Sequence, residues 1–216
     1  MSINKKALEF YSTQSINKKD KESVLEVLGS DYLSRGPKIH EFEDKLGKFC
    51  KNKYSVSLNS ATSALQLAYQ INGIQKGDLV WTTPITFVAT CNAALHFGAN
   101  IDFIDIDPET LNISPSLLEE KLRKAEYEAR LPDFLTVVHF GGNPCEMKKI
   151  FNLSIKYGFK VIEDASHALG ASYKNMMIGE NNFSLASVFS FHPVKMITTG
   201  EGGAILLNSE RDQKKV

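Results

Sequence analysis

The chain has 216 residues, of which 43% are hydrophobic and 23% are charged, so it can form one globular domain with a full apolar core. Its 25 basic and 25 acidic residues cancel, which argues against a broad basic surface for nucleic acid. Cys50, Cys91 and Cys145 lack metal-ligand spacing and predict reduced thiols. No apolar run resembles a signal peptide or a membrane span, and we therefore expect a cytoplasmic protein.

Helical and strand patterns alternate along the chain. A charged stretch at 18–21 marks a helix start, and apolar residues recur at helical spacing after Pro37, which predicts a second helix. From residue 54 onward, short apolar runs alternate with amphipathic segments. Strands are predicted at 54–59, 79–84, 101–107, 134–140, 160–165, 188–192 and 204–208, and helices at 60–71, 86–98, 114–129 and 145–158.

The strands consist of nearly continuous Val, Ile, Leu and Phe runs, which is typical of strands buried on both faces. Strands that alternate with helices predict an α/β fold of three layers, with a mainly parallel sheet between two layers of helices. Such sheets bind ligands beyond the carboxyl ends of their strands. Residues at those ends are therefore the candidates for a functional site.

The first candidate is a run of small residues after the strand at 54–59. Ser60, Ala61, Thr62 and Ser63 begin a helix, where outward-pointing backbone N–H groups and hydroxyls suit a phosphate. An ordinary helix cap explains the same residues. Both interpretations remain open from the residues alone.

Two carboxylates, Glu163 and Asp164, end the strand at 160–165. Because side chains alternate along a strand, one of them points toward the site where ligands bind, at the carboxyl ends of the strands. There it either caps the next turn, which is the commoner use, or holds a cation or a protonated ring nitrogen. His167 follows three residues later, where a loop histidine without a ligand is the simpler interpretation.

A lysine follows the strand at 188–192. A lone lysine is usually solvated surface, but Lys195 lies in a loop at a strand end, close to Ser190. Because strand ends converge, Ser60–Ser63, Asp164, Ser190 and Lys195 can surround one pocket. A phosphate seat, an acid for a ring nitrogen and a partly buried amine together fit pyridoxal phosphate. The glycine fingerprints of dinucleotide and P-loop sites do not occur.

Six segments of the sequence carry a resemblance to a known family. They are NSATSAL, TTPITFVATCNAAL, DFIDIDPETLNIS, VVHFGGNPCEM, VIEDASHALG and FSFHPVKMITTGEGGA. With them, the chain resembles the DegT/DnrJ/EryC1/StrS family of nucleotide-sugar aminotransferases over essentially its whole length. The resemblance implies that residues 1–216 form an N-terminal arm and the large domain of the aspartate-aminotransferase architecture, pyridoxal-phosphate fold type I.

The resemblance also implies two catalytic residues. Lys195 takes the position of the lysine that forms the Schiff base, and Asp164 that of the acid paired with the pyridinium nitrogen. Family relatives that dehydrate carry histidine in place of this lysine, so Lys195 favours transamination.

Further positions follow from the same resemblance. The backbone of Ala61 and Thr62 and the hydroxyl of Ser190 hold the cofactor phosphate, Phe87 stacks on the ring, and His167 contacts the phenolic oxygen. The cofactor-binding set is then Ala61, Thr62, Phe87, Asp164, His167, Ser190 and Lys195. The implied substrate-binding set is Tyr11, Asp31, Tyr32, Leu33, Ser34, Ala61 and Ser190.

The resemblance implies transamination at C4 of a UDP-linked 4-keto-6-deoxy-N-acetylhexosamine in pseudaminic acid synthesis. L-glutamate is the implied amino donor and a homodimer the implied assembly. No metal, nucleic acid or membrane partner is expected. A non-catalytic remnant of such an enzyme and a bare metabolite-binding module are the alternatives, although the second leaves Lys195, Asp164 and Ser190 together unexplained.

The last segment predicts an incomplete helix. Ser209 can cap a helix with Asp212 three residues on, but only two turns follow. We therefore expect this chain to be a fragment that lacks the small C-terminal domain of the family. Such a fragment, on its own, is expected to be inactive or nearly so.

Overall fold

The computed structural model describes residues 12–216. Two helices come first. α1 (Lys18–Leu28) begins after Asn17, whose side chain accepts hydrogen bonds from two backbone amides of the first turn. α2 (Pro37–Phe49) has a proline at its first position, where a helix makes no use of the amide hydrogen. Both helices lie where the sequence predicts them.

A seven-stranded sheet forms the centre of the fold. All neighbouring strands are parallel except at one strand, which runs antiparallel to both of its neighbours. The sheet is therefore mainly parallel, as predicted. In their order across the sheet the strands, numbered along the chain, are β1 (Tyr54–Leu58), the antiparallel β9 (Gly203–Leu207), β8 (Ala186–Ser190), β5 (Lys160–Asp164), β4 (Phe134–Val138), β2 (Leu79–Thr82) and β3 (Asn100–Phe103).

Helices cover both faces of the sheet. Strand side chains alternate between the two apolar layers, so that Val80 packs in one core cluster and Trp81 in the other. This arrangement confirms the prediction of a three-layer α/β fold. The first layer contains α3 (Ala61–Ile71) and α4 (Ala89–Leu95), and the second contains α2, α5 (Pro115–Tyr127) and α6 (Met147–Tyr157).

Most predicted elements agree with the structure to within two residues at each end, and two are shorter by more. The strand predicted at 101–107 ends at Phe103, because Asp105 binds the amide of Ile106 with its own side chain and Ile106 pairs only with Ile113. The helix predicted from residue 86 begins three residues later, at Ala89. Residues 86–88 therefore form part of the loop at the end of β2. The last helix, α7 (Glu210–Gln213), is capped by Ser209 as predicted.

A small hairpin was not predicted from the sequence. It consists of β6 (Ser172–Tyr173) and β7 (Met176–Met177). The turn between them is Lys174-Asn175, with φ values of 50° and 66°. Asparagine tolerates this left-handed backbone better than most residues, so Asn175 is the signal that could have found the hairpin.

Within residues 12–216, no helix has the length and hydropathy needed to cross a membrane. The same residues contain no group of three or more His, Cys, Asp or Glu side chains arranged to hold a metal ion.

Candidate active site

The N-terminus of α3 lies at the carboxyl end of β1. The Ser60 hydroxyl accepts the amide of Ser63 at 3.2 Å, and the Ser60 carbonyl accepts the amide of Ala64 at 3.1 Å. The amides of Ala61 and Thr62, in the first turn, have no acceptor within the helix. Two N–H groups at the positive end of the helix dipole are therefore available to an anion. Ser60 acts as an ordinary cap, and the amides of Ala61 and Thr62 beside it remain the predicted seat for a phosphate.

Gly203 brings β9 against this helix terminus. A Cβ atom on Gly203 would lie 2.3 Å from the carbonyl carbon of Ser60 and 2.4 Å from the amide nitrogen of Ala61, so no side chain fits there. Gly203 also pairs in register with Ser190, the last residue of β8. The strand pairing therefore brings the predicted positions Ala61 and Ser190 to one place. Gly203 was not among the predicted site residues, although the pair Gly202-Gly203 before a strand was a signal.

Asp164 ends β5 and is 5% exposed. The Thr90 hydroxyl donates to its Oδ2 at 2.7 Å, and the Ser166 amide donates to its Oδ1 at 3.2 Å. Thr90 belongs to α4, in the same layer as α3. Of the two adjacent carboxylates, Asp164 therefore lies on the side of the phosphate seat.

Glu163 has different partners. Its Oε2 lies 2.7 Å from Nε2 of His139, and the Ser184 hydroxyl donates to its Oε1 at 2.5 Å. The Cys145 amide donates to Nδ1 of His139 at 3.1 Å, so the ring proton is on Nε2 and is donated to Glu163. All of these side chains are buried. Glu163 is thus engaged inside the fold and is not available to a ligand.

Lys195 is half-buried in the loop between β8 and β9, and its amide donates to the His192 carbonyl at 2.9 Å. Burial lowers the pKa of its amine, and the Asp164 carboxylate partly offsets this effect. A larger fraction of this lysine is therefore neutral than of an exposed lysine. The structure does not support the simple interpretation of Lys195 as solvated surface.

His167 lies beside the same two groups. Burial lowers the pKa of its ring, the Lys195 ammonium lowers it further, and the Asp164 carboxylate acts in the opposite sense. The Gly141 amide donates to Nδ1 at 3.3 Å, so a neutral His167 carries its proton on Nε2. His167, Lys195 and Asp164 therefore interact electrostatically within one site.

Phe87 lies in the loop before α4 and is 74% exposed, although it is a large apolar ring. Its carbonyl accepts the amide of Thr90, the residue that binds Asp164. The Phe87 backbone is thus linked to the residue that binds the carboxylate, and its ring is open to solvent. Its stacking role remains a prediction.

Four of the predicted substrate-binding residues precede α2, whereas Ala61 and Ser190 belong to the cluster already described. Asp31, Tyr32, Leu33 and Ser34 are exposed in the connection between α1 and α2. No hydrogen bond described in residues 12–216 joins them to Asp164 or Lys195, so their role stays a prediction. Tyr11 lies outside the described residues. The side chain of Gln14, a residue near the start of the described chain, donates to the Pro193 carbonyl at 3.3 Å, within the lysine loop.

The sequence profile of one family matches nearly the whole chain. The DegT/DnrJ/EryC1/StrS aminotransferase family matches residues 14–216. The chain belongs to this family. Membership agrees with the α/β fold, the mainly parallel sheet and the cluster of Lys195, Asp164 and the α3 terminus.

Individual members of the family resemble this chain closely. A UDP-4-amino-4,6-dideoxy-N-acetyl-beta-L-altrosamine transaminase from Campylobacter jejuni is 46% identical over 200 residues, which cover 93% of this chain and 51% of that protein. Helicobacter pylori PseC, described as an aminotransferase involved in the biosynthesis of pseudoaminic acid, superposes with a TM-score of 0.87 at 36% identity, over 95% of this chain and 54% of PseC. The chain spans about half the length of the curated relatives that it matches.

A third similar structure carries a cofactor. NtdA from Bacillus subtilis, determined with bound cofactor PMP, superposes with a TM-score of 0.80 at 28% identity, over 93% of this chain and 44% of NtdA. PMP is the amine form of pyridoxal phosphate.

Proposed function

We propose that the protein is a pyridoxal-phosphate-dependent aminotransferase that acts on a nucleotide sugar. The observation that carries the proposal is the convergence, at one edge of the sheet, of a half-buried amine, a buried carboxylate and a helix terminus with two available amides. These are the groups of Lys195, Asp164, Ala61 and Thr62. Family membership and the PMP-bound NtdA structure support the same cofactor.

The residues present fit this cofactor. The absence of a Cβ at Gly203 leaves β9 in contact with the α3 terminus, so that the Ala61 and Thr62 amides and the Ser190 residue can receive one phosphate. Asp164 has two hydrogen-bond donors, and a carboxylate has about four acceptor positions, so it can accept a ring N–H as well. The Phe87 ring is exposed on the loop that is hydrogen-bonded to Thr90.

Bound pyridoxal phosphate supplies an aldehyde for amine attachment and a ring that withdraws electrons from the attached carbon. The Ala61 and Thr62 amides would hold the cofactor phosphate. Asp164 would hold the proton on the ring nitrogen, because an ionised carboxylate stabilises an adjacent N–H cation. The Nε2–H of His167 can donate to the phenolic oxygen, since its Nδ1 already accepts from Gly141.

Lys195 has two tasks in this proposal. Its neutral amine, favoured by burial, would hold the cofactor through the aldehyde, with loss of water. When free, the same amine would take up and return a proton at the substrate carbon, as a general base and then a general acid. A half-buried amine with a lowered pKa suits both tasks.

We further infer that the amino-group acceptor is a UDP-linked 4-keto-6-deoxy-N-acetylhexosamine, aminated at C4 with L-glutamate as the donor, in pseudaminic acid synthesis in the cytoplasm. The C. jejuni transaminase and H. pylori PseC support this substrate class. Asp31, Tyr32, Leu33, Ser34 and Tyr11 are the proposed sugar-nucleotide contacts, and a homodimer is the proposed assembly.

Borohydride reduction tests the cofactor assignment. The purified protein is loaded with pyridoxal phosphate, reduced and digested, and the labelled peptide is identified by mass spectrometry. The label should lie on Lys195, and Lys195→Arg should take up none. A stable label on another lysine, or a protein without cofactor absorbance, would contradict the assignment. The second result would favour a non-catalytic remnant.

The substrate has a separate test. Incubation with glutamate and the UDP-4-keto sugar should yield a 4-amino sugar nucleotide, detected by mass spectrometry. If only unrelated keto acids are aminated, the aminotransferase proposal stands and this substrate does not.

A further inference from the structure

Two hydrogen-bonded threonines, the buried Thr90 and the partly buried Thr86, lie next to Asp164. The Thr90 hydroxyl is 2.7 Å from Oδ2 of Asp164 and also 2.7 Å from the Thr86 hydroxyl. Thr90 itself is 1% exposed. The other oxygen of Asp164 accepts the Ser166 amide at 3.2 Å. The carboxylate is therefore bound on both oxygens before any ligand enters the site.

The direction of these hydrogen bonds follows from the number of hydrogens that each group can donate. An ionised carboxylate only accepts, so Thr90 must donate to Asp164. Thr90 has a single hydroxyl hydrogen, and Thr86 must therefore donate to Thr90. The result is a series of two hydrogen bonds, in which Thr86 donates to Thr90 and Thr90 donates to Asp164. Rotation of the carboxylate would break the bonds to both Thr90 and Ser166.

This series of hydrogen bonds joins two parts of the proposed cofactor site. Thr86 directly precedes Phe87, and the Phe87 carbonyl accepts the Thr90 amide at 3.0 Å. The loop that carries the exposed ring is thus connected to the carboxylate by both a backbone and a side-chain hydrogen bond. Asp164 lies at the end of β5, so the connection bridges segments 74 positions apart in the sequence.

We propose that Thr90 is a positioning residue, which holds the Asp164 carboxylate at a fixed orientation to the ring nitrogen, and that Thr86 reinforces it through the Phe87 loop. The inference rests on the proposed function, because it concerns how that site receives its cofactor. A hydroxyl that merely satisfied a buried carboxylate would contribute to stability alone. A positioning residue also affects the electronic state of the bound ring.

Three variants separate these roles. Thr90→Val removes the hydroxyl and keeps the shape, whereas Thr90→Ser keeps the hydroxyl. Thr82→Val is the matched control, because Thr82 is equally buried and its hydroxyl donates to the Thr136 carbonyl at 2.8 Å and not to Asp164. Each purified protein is loaded with pyridoxal phosphate and assayed in two ways: by kcat and KM, and by titrating the absorbance of the bound cofactor with pH.

Thr90→Val should lower kcat by about tenfold to a hundredfold, with a smaller change in KM, since a misplaced catalytic group costs rate more than binding. The pH midpoint of its absorbance change should rise, because a carboxylate that turns away leaves the ring less electron-withdrawing. Thr90→Ser should restore both values, and Thr82→Val should match the wild type in both. Thr86→Val should change both in the same direction as Thr90→Val, by less.

A Thr90→Val protein whose absorbance titration and kcat equal those of Thr82→Val would overturn the positioning role while leaving the proposed function intact. If Thr90→Val does not fold, Thr86→Val decides, and a wild-type titration in that variant would overturn the inference. A wild-type protein that shows no cofactor absorbance would overturn the proposed function first and this inference with it.

Discussion

Glu163 and Asp164 are consecutive residues, yet their carboxylates lie on opposite faces of the sheet. Glu163 is hydrogen-bonded to His139 and Ser184, and Asp164 to Thr90 and Ser166. Successive side chains of a strand alternate in this way. One carboxylate therefore belongs to the interior of the fold, and the other to the candidate site.

Substitution of these two carboxylates should have opposite consequences. Glu163→Ala leaves a buried imidazole N–H and a buried hydroxyl without their acceptor, and each such group costs about 1–3 kcal/mol. We expect a large loss in the free energy of unfolding, measured by urea titration. Asp164→Asn should unfold close to the wild type, since the Thr90 hydroxyl can rotate to accept from the new amide.

Catalytic turnover should depend on Asp164 more strongly than the stability of the fold does. Asp164→Asn should lose far more activity than stability, because its carboxylate acts on the bound cofactor and not on the fold. Normal turnover of Asp164→Asn with cofactor bound would remove Asp164 from its proposed role. A wild-type unfolding midpoint in Glu163→Ala would contradict the structural role of Glu163.

Lys195 should react as an amine at lower pH than an exposed lysine. Burial lowers the pKa of Lys195. At any pH below the pKa of an ordinary lysine, a larger fraction of Lys195 than of an exposed lysine is therefore neutral. Acetylation of the cofactor-free protein over a pH series, followed by peptide mass spectrometry, gives the midpoint. The exposed Lys51 serves as the internal control.

The carboxylate of Asp164 provides a second check on Lys195. Because this carboxylate acts to raise the pKa of Lys195, Asp164→Asn should move the acetylation midpoint to still lower pH, while Lys51 should not change. A midpoint for Lys195 equal to that of Lys51 would mean that the amine is solvated surface.

His167 should make the stability of the cofactor-free protein depend on pH. Burial and the Lys195 ammonium hold the pKa of His167 below 6.5 in the folded state, so unfolding takes up protons. Stability from this group is present above pH 6.5 and is lost as the pH falls toward the folded pKa. His167→Gln should therefore reduce the free energy of unfolding more at pH 7.5 than at pH 5.5, as urea titrations can measure.

The matched control for His167 is His96→Gln, since His96 is exposed on the surface after α4. This variant should show no such difference between the two pH values. Equal behaviour of the two variants would indicate that the surroundings of His167 do not disfavour its charged form.

Gly203→Ala should damage the phosphate seat. The new Cβ would meet backbone atoms of Ser60 and Ala61 at 2.3 and 2.4 Å, and backbone cannot move aside as a flexible side chain can. We expect a loss of about 1–3 kcal/mol in the free energy of unfolding and weaker binding of pyridoxal phosphate, measured by absorbance titration.

Gly29→Ala is the control for this substitution, because a Cβ at Gly29 would make only ordinary contacts, the nearest at 3.4 Å. It should bind the cofactor as the wild type does. Wild-type affinity in Gly203→Ala would show that the close approach of β9 does not shape the seat.

Most of the architecture follows from local patterns in the sequence. Apolar runs separated by amphipathic segments predict the strands and helices, since periodicity reports burial within a few residues. Cap residues such as Ser60 and Ser209 predict helix starts for the same reason. The order of these elements already predicts a three-layer fold with its ligands at the strand ends, and hence the list that contains Lys195, Asp164 and Ala61.

The arrangement of the site depends on contacts between distant parts of the chain. Strands buried on both faces have no polar face to orient them, so the sequence cannot tell whether Glu163 or Asp164 faces the site. The approach of Gly203 to Ala61 and the bond from Thr90 to Asp164 require the strand order and register of the whole sheet. These pairings are long-range, and no local period encodes them.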